Sequence, residues 1–245
     1  MHTPTPAQLL QVWERGGGSS AAVCGLLLLG CCCDDEGSVD ALAALPLGRR
    51  DARLLELRER LFGTAIDVVA TCPQCAATVE ATFRCDDLLL TVPGNEASTL
   101  EHASHGIRMQ FRLPDSNDLL ALENCGDAGA ARALLLERCV LAAQRGDEPR
   151  ELRRLPHELQ AEIAQAMAQA DPQADLQLAF RCPDCGHDWQ PLFDIARFLW
   201  QELHAWALHM LREVDTLAQA YHWAEADILA LSPRRRQAYL ELCAP

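Results

Sequence analysis

The chain has 245 residues, 49% of them hydrophobic, and a formal net charge of −14 at pH 7. That length suits one large domain or two small ones around a sizeable core. All of its cations are arginines apart from histidine, and an acidic chain of this kind is repelled by phosphate backbones, which disfavours general nucleic-acid binding.

Taken in chain order, Pro6 to Arg15 reads as a short helix with Leu9, Leu10 and Trp13 on one face, and Gly16 to Ser20 as a flexible break. Ala21 to Cys33 is almost wholly apolar but too short to span a bilayer as a helix. Leu28-Leu29-Gly30-Cys31 looks like a lipoprotein cleavage box, yet only Arg15 precedes it, balanced by Glu14, where an export signal needs a positive start. A buried helix is the expectation, ended by Asp34, Asp35 and Gly37, with Cys31, Cys32 and Cys33 packed at its end. Leu45-Pro46-Leu47-Gly48 reads as a turn and Arg49 to Phe62 as an amphipathic helix carrying Leu54, Leu57 and Leu61, stopped by Gly63.

Then comes the most informative feature, Cys72-Pro73-Gln74-Cys75, repeated 110 residues later as Cys182-Pro183-Asp184-Cys185. At that offset Val68 faces Leu178, Ala70 faces Phe180, Phe83 faces Phe193 and Leu89 faces Leu199. Ile66, Val68 and Ala70 alternate before the first pair, and Val79, Ala81 and Phe83 after it. Leu176, Leu178 and Phe180 alternate before the second pair, and Trp189 opens the segment after it. Alternation on both sides predicts a β-hairpin with the cysteines at its tip. Gly186 permits a tight turn after the second pair, whereas Ala76 at the matching place predicts a looser first turn.

Between the pairs, Leu100 to His102 and Ile107 to Leu113 read as strands around His105-Gly106, and Ser116 as the N-cap of a helix over Asn117 to Leu122. Ala128 to Ala143 reads as a helix, Gly146 to Arg150 as a polar loop, and Pro156 to Ala170 as a helix closed by Asp171-Pro172. His102 and His105, with no adjacent carboxylate motif, read as exposed hairpin residues. From Phe193 onward Ala196, Leu199, Trp200, Leu203, Trp206, Met210, Val214, Leu217 and Tyr221 recur every three or four residues, a long amphipathic helix expected to pack on the hairpins. Ser232-Pro233 starts a last short helix whose first turn holds Arg234-Arg235-Arg236, a docking patch or a solvated face.

Two Cys-x-x-Cys turns supply the four soft donors that a structural zinc ion takes in a tetrahedron, so Cys72, Cys75, Cys182 and Cys185 are the candidate ligands of one shared ion. Two separate partial sites, thiol redox chemistry and an incidental match are the competing readings. Redox Cys-x-x-Cys motifs sit at a helix N-terminus, which lowers the thiol pKa, and here strand follows each pair. His187 is the one nearby substitute ligand and reads as solvated. Cys24, Cys85, Cys125, Cys139 and Cys243 lie in apolar contexts and read as small buried hydrophobes. No phosphate loop, nucleophile elbow or His-Glu-x-x-His helix occurs. A four-thiolate zinc keeps no open position for water, so the expected role is non-enzymatic.

Leu45-Pro46-Leu47-Gly48-Arg49-Arg50-Asp51, then Leu54-Leu55-Glu56-Leu57-Arg58 and Phe62-Gly63, run directly into the first Cys-Pro-x-Cys. The end reads Tyr221-His222-Trp223, Glu225-Ala226-Asp227-Ile228-Leu229, Ser232-Pro233-Arg234-Arg235-Arg236 and Tyr239-Leu240. This combination resembles the baseplate proteins of T-even-like contractile phages and related contractile injection systems, from about Leu45 to Leu242. The resemblance implies a structural or assembly role among other baseplate and tail proteins. No nucleic-acid, membrane or small-molecule partner is expected, and the expected place is a cytoplasmic assembly site or the assembled tail.

The expected fold is α+β and mainly helical: a split zinc ribbon of two Cys-Pro-x-Cys hairpins surrounded by helices, with a long C-terminal amphipathic helix. The expected organisation is an N-terminal helical segment over 1–62, a ribbon core over 63–193 with an inserted strand and helix region over 91–174, and a C-terminal helical segment over 194–245. The alternatives in function are a zinc-ribbon regulator that binds nucleic acid and a Cys-x-x-Cys thiol oxidoreductase.

Overall fold

The computed structural model describes residues 2–32, 38–90, 99–151 and 155–243. Cys33 and the Asp34, Asp35 and Gly37 helix stop lie outside the described residues. The fold is α+β, mainly helical, with small sheets and a long C-terminal helix. Two compact units form, one from residues 1–38 and 196–245, the other from residues 39–195.

In the first unit, α1 (Pro6–Gly16) starts at a capping box between Thr5 and Gln8, with Pro6 in the first turn where its missing N–H costs nothing. Ser20 caps α2 (Ala21–Gly30), whose Leu28 and Leu29 are fully buried. At its end the Cys31 and Cys32 thiols both donate to the Leu28 carbonyl, at 3.0 and 3.1 Å. The long helix α9 (Ile195–Tyr221) buries Ala207, Met210, Val214 and Leu217 against Leu10 of α1 and against Ile228 and Leu229 of α10 (Glu225–Leu229). The stripe expected to lie on the hairpins thus finds its cover, over this stretch, among the terminal helices. In α11 (Pro233–Cys243), Ser232 accepts a hydrogen bond from the Arg235 N–H. Arg236 is buried and paired with Glu213 of α9, so only Arg234 and Arg235 of the arginine run are exposed.

In the second unit, α3 (Val39–Ala43) precedes α4 (Leu47–Phe62), which buries Leu54, Leu55 and Leu57. The expected turn at Leu47-Gly48 is already helix. Its free N-terminal N–H groups are met from outside the helix, the Gly48 N–H donating to the buried Asp171 carboxylate at 2.9 Å. Gly63, at φ 89°, ends α4. Strands β1 (Ala65–Thr71) and β2 (Thr78–Arg84) pair antiparallel through seven residues, with Ile66 and Val79 turned inward, and α5 (Cys85–Leu88) follows.

The inserted region builds a four-stranded sheet in the order β3 (Leu100–Ser104), β4 (Ile107–Phe111), β5 (Val140–Arg145), β6 (Glu148–Pro149). Asp115 rather than Ser116 caps α6 (Ser116–Leu122), because Asp118 completes a reciprocal capping box with it while Ser116 is fully buried. The helix expected over Ala128 to Ala143 is α7 (Ala128–Cys139) followed by β5. Apolar residues at Val140, Leu141 and Ala143 extend a helical pattern by eye, but β4 offers an edge that β5 pairs instead. Helix α8 (His157–Ala170) lays Leu159, Ile163 and Met167 over Met109 and Phe111 of that sheet. A 3₁₀ turn, Pro172–Asp175, then leads to β7 (Phe180–Arg181) and β8 (Asp188–Trp189). This second hairpin is shorter than the first. Pro191 has no N–H to give the ladder, which continues irregularly as Leu178 N–H to Pro191 C=O at 3.0 Å, a bridge between Gln177 and Leu192, and Phe193 N–H to Leu176 C=O at 2.7 Å.

Candidate metal centre

The two cysteine turns close in the same way. In the first, the Cys72 N–H donates to the Ala77 carbonyl and the Ala76 N–H to the Cys72 carbonyl, both at 2.9 Å. In the second, the Cys182 N–H donates to His187 and the Gly186 N–H to Cys182, also at 2.9 Å. The residue after each pair takes the left-handed region, Ala76 at φ 59° and Gly186 at φ 73°. The looser first turn expected from Ala76 is therefore not found: the alanine is held where glycine would sit more easily.

Residues distant from both turns in sequence set them side by side. The 3₁₀ turn after α8 packs on α4. Its buried Gln173 accepts from the Leu90 N–H at 2.7 Å and donates to the Leu88 carbonyl at 3.1 Å, tying the end of the first hairpin segment to the approach of the second. Phe83 of β2 meets Phe180 of β7 edge to face at 5.7 Å, and Phe180 stacks on Trp189 at 5.2 Å. Asp171 was read in the sequence only as part of a helix stop, and Gln173 was not singled out. Their partners lie 123 and 83 residues away, beyond the reach of any local signal.

The sulfurs of Cys72, Cys75, Cys182 and Cys185 all come within 4.8 Å of one another, a set that could bind a metal ion. Cys72 Sγ lies 3.7 Å from Cys185 Sγ, and Cys75 Sγ 3.5 Å from Cys182 Sγ. The leading cysteine of each pair is buried and the trailing one exposed. Burial pushes the Cys72 thiol up, but the backbone N–H groups of Cys75 and Gln74 and the Cys75 and Cys185 thiols outweigh it and bring it down to about 7. At Cys75 the Ala77 N–H pulls down, while hydrogen bonds shared with the Cys182 and Cys185 thiols and burial push it up to about 12. Ionising one thiol opposes ionisation of the next, a repulsion that a cation among the sulfurs would offset.

His187 stacks over Trp189 at 6.2 Å and is not in the four-sulfur group. Cys24, Cys85 and Cys139 are buried, and Cys125 and Cys243 are partly so. His102 and His105 have a carboxylate after all. Glu162 of α8 reaches His105 Nε2 at 3.2 Å and His102 Nε2 at 3.7 Å, and the Ser104 hydroxyl, then the histidines, hold it below its usual range. Asp118 is fully buried between Arg112, at 2.6 and 2.8 Å, and Arg138, at 2.7 Å, a clamp at the end of the sheet that the sequence did not announce. No helix among the described residues is long and apolar enough to cross a membrane.

A model of the family described as T4 bacteriophage base plate protein matches residues 26–200. The match holds both cysteine pairs and everything between them. It starts earlier than the resemblance at Leu45 and stops near the start of α9. No curated protein and no solved structure matches the chain. With well over half its length covered, the chain belongs to the T4 bacteriophage base plate protein family, whose role is a structural one in the phage baseplate.

Proposed function

We propose that Cys72, Cys75, Cys182 and Cys185 hold one structural zinc ion, and that the chain serves baseplate assembly as a non-enzymatic module pinned by that ion. One observation carries the reading: thiols from two turns 110 residues apart converge within 4.8 Å. Four sulfurs in a tetrahedron at the usual zinc–sulfur bond of about 2.3 Å stand about 3.8 Å apart, close to the 3.5 and 3.7 Å approaches between the turns. Thiolate donors select zinc, iron and copper(I) over harder cations. When bound, the ion supplies the positive charge that lets all four sulfurs stay ionised, and it cross-links the hairpins. A strand follows each cysteine pair, which takes away the helix-terminal activation a thiol oxidoreductase relies on.

Native mass spectrometry tests the site. One zinc per chain is expected, lost in the Cys72→Ser, Cys182→Ser variant; a metal-free chain or a bound iron overturns the assignment. For the assembly role, deletion of the encoding gene is expected to abolish complete tails in electron micrographs, and tagged protein to retain other baseplate subunits. Complete tails made without the protein overturn it.

A further inference from the structure

The exposure of the cysteine cluster suggests a second chemistry. Cys75 and Cys185 are exposed while Cys72 and Cys182 are 1% accessible, so each turn offers one sulfur to solutes and shields the other. The short approaches run from one turn to the other, and each joins an exposed sulfur to a buried one: Cys75 to Cys182 at 3.5 Å and Cys185 to Cys72 at 3.7 Å. Solvent-accessible cysteines that are ionised and have a second thiol in reach are those that oxidise reversibly, and the zinc ion proposed above would keep all four sulfurs ionised. We infer that the cluster is a peroxide modification site, in which Cys75 and Cys185 are oxidised and Cys182 and Cys72 resolve them into two disulfides that link the hairpins.

The chemistry balances with hydrogen peroxide as the oxidant. Cys75, kept ionised in the zinc-loaded protein, attacks one peroxide oxygen as its thiolate, the O–O bond breaks, hydroxide leaves, and the sulfur loses two electrons to become a sulfenic acid. The Cys182 thiolate attacks that sulfur, the S–O bond breaks, hydroxide leaves again, and the disulfide forms. Cys185 and Cys72 repeat the sequence, so two peroxides are consumed per chain. Four anionic donors become two neutral disulfides, which hold metal poorly, yet the covalent links keep the hairpins joined. Of the other described cysteines, Cys24, Cys85 and Cys139 are buried, and the adjacent Cys31 and Cys32, whose sulfurs also approach to 3.7 Å, are both engaged with the Leu28 carbonyl.

The ionisation of the attacking sulfurs and the release of metal rest on the zinc assignment, whereas the choice of which sulfurs pair rests on their approach distances, and the experiment separates the two. Zinc content is first measured on the reduced protein. The full chain is then treated with dilute hydrogen peroxide, blocked with an alkylating agent and cleaved after arginine without reduction. Cleavage places Cys72 and Cys75 on one peptide, residues 61–84, and Cys182 and Cys185 on another, residues 182–197. The expected product is the two peptides joined, with loss of all four free thiols and, where zinc was present, its release to a colorimetric chelator. The Cys72→Ser, Cys185→Ser variant is expected to retain one link, through Cys75 and Cys182. Two unlinked peptides, each closed by its own internal disulfide, overturn the inference, as do four thiols that survive while other cysteines oxidise. Absence of zinc from the reduced protein counts against the metal assignment alone, since the joined peptides are read in either case.

Discussion

Ala76 sits at φ 59°, in a turn whose hydrogen bonds match those that Gly186 closes in the other turn. A side chain in this region costs about 1–2 kcal/mol, partly returned because alanine has less freedom than glycine to lose on folding. Ala76→Gly is therefore expected to stabilise the metal-loaded protein by about 1 kcal/mol, and Gly186→Ala to cost a similar amount, both read from melting temperatures. If Ala76→Gly lowers stability, the turn is not under the strain argued here. Asp51 carries a second residue-scale prediction. Burial, opposed by the Arg50 guanidinium and reinforced by Asp194 and Asp171, pushes its carboxyl up to about 6. A carboxyl raised in the fold contributes stability that is present in full below its unfolded value of about 4 and is lost as pH rises through about 6. Between pH 7.5 and pH 5 the native chain should gain about 1 kcal/mol over Asp51→Asn in urea titrations, a gap that stays constant if Asp51 titrates normally. The convergence of the four cysteines was legible because Cys-Pro-x-Cys is a local signal, repeated in matched context. The strain at Ala76 and the burial of Asp51 were not, since the first depends on a dihedral and the second on α4 meeting chain more than a hundred residues away.

Elements were read well where their signal was internal. The α9 stripe from Ala196 to Leu217 and the seven-residue ladder of β1 and β2 both follow from periodicity alone. Their boundaries were misread where a partner decides them. Helix α7 stops at Cys139 because β4 takes Val140 onward as a strand, and α4 begins at Leu47 because Asp171 waits for the Gly48 N–H. A Cβ on residue 48 would collide with that carboxylate. Gly48→Ala is thus expected to cost about 1–3 kcal/mol, and more than Ala substitution at Gly126, where nothing stands within 4 Å. Equal costs at the two positions, measured by urea denaturation, would show that the Asp171 contact does not define the start of α4. In the other unit, Gly16 lies against the Trp200 ring, and a methyl group there would strike it. Gly16→Ala is expected to displace Trp200, seen as a change in near-ultraviolet circular dichroism with little change in helix content.

At the scale of the whole molecule, the cysteine cluster joins a hairpin with a long regular ladder to one with a short interrupted ladder. The first has seven ladder pairs and two buried apolar residues, Ile66 and Val79, while the second has two ladder pairs and is interrupted by Pro191. Isolated two-stranded hairpins are marginal in water even when regular, so the second depends on what clamps it: the Gln173 bridge, the Phe83–Phe180–Trp189 ring contacts, and the four sulfurs. Metal ligation contributes about 10–16 kcal/mol in isolated zinc peptides, far more than one hydrogen bond or ring contact, so its loss should fall unevenly. The core of α9 with Leu10, Ile228 and Leu229 contains no residue of either hairpin. Removal of metal by a strong chelator is therefore expected to raise amide hydrogen exchange across residues 178–193 by about a hundredfold or more, which is roughly 3 kcal/mol of lost local stability. The rise should be smaller over residues 65–84 and absent over residues 207–217. Uniform loss of protection along the chain would mean that the cluster holds the entire protein together. Unchanged protection at residues 178–193 would mean that packing alone seats the second hairpin and that the four sulfurs meet there without bearing any of its stability.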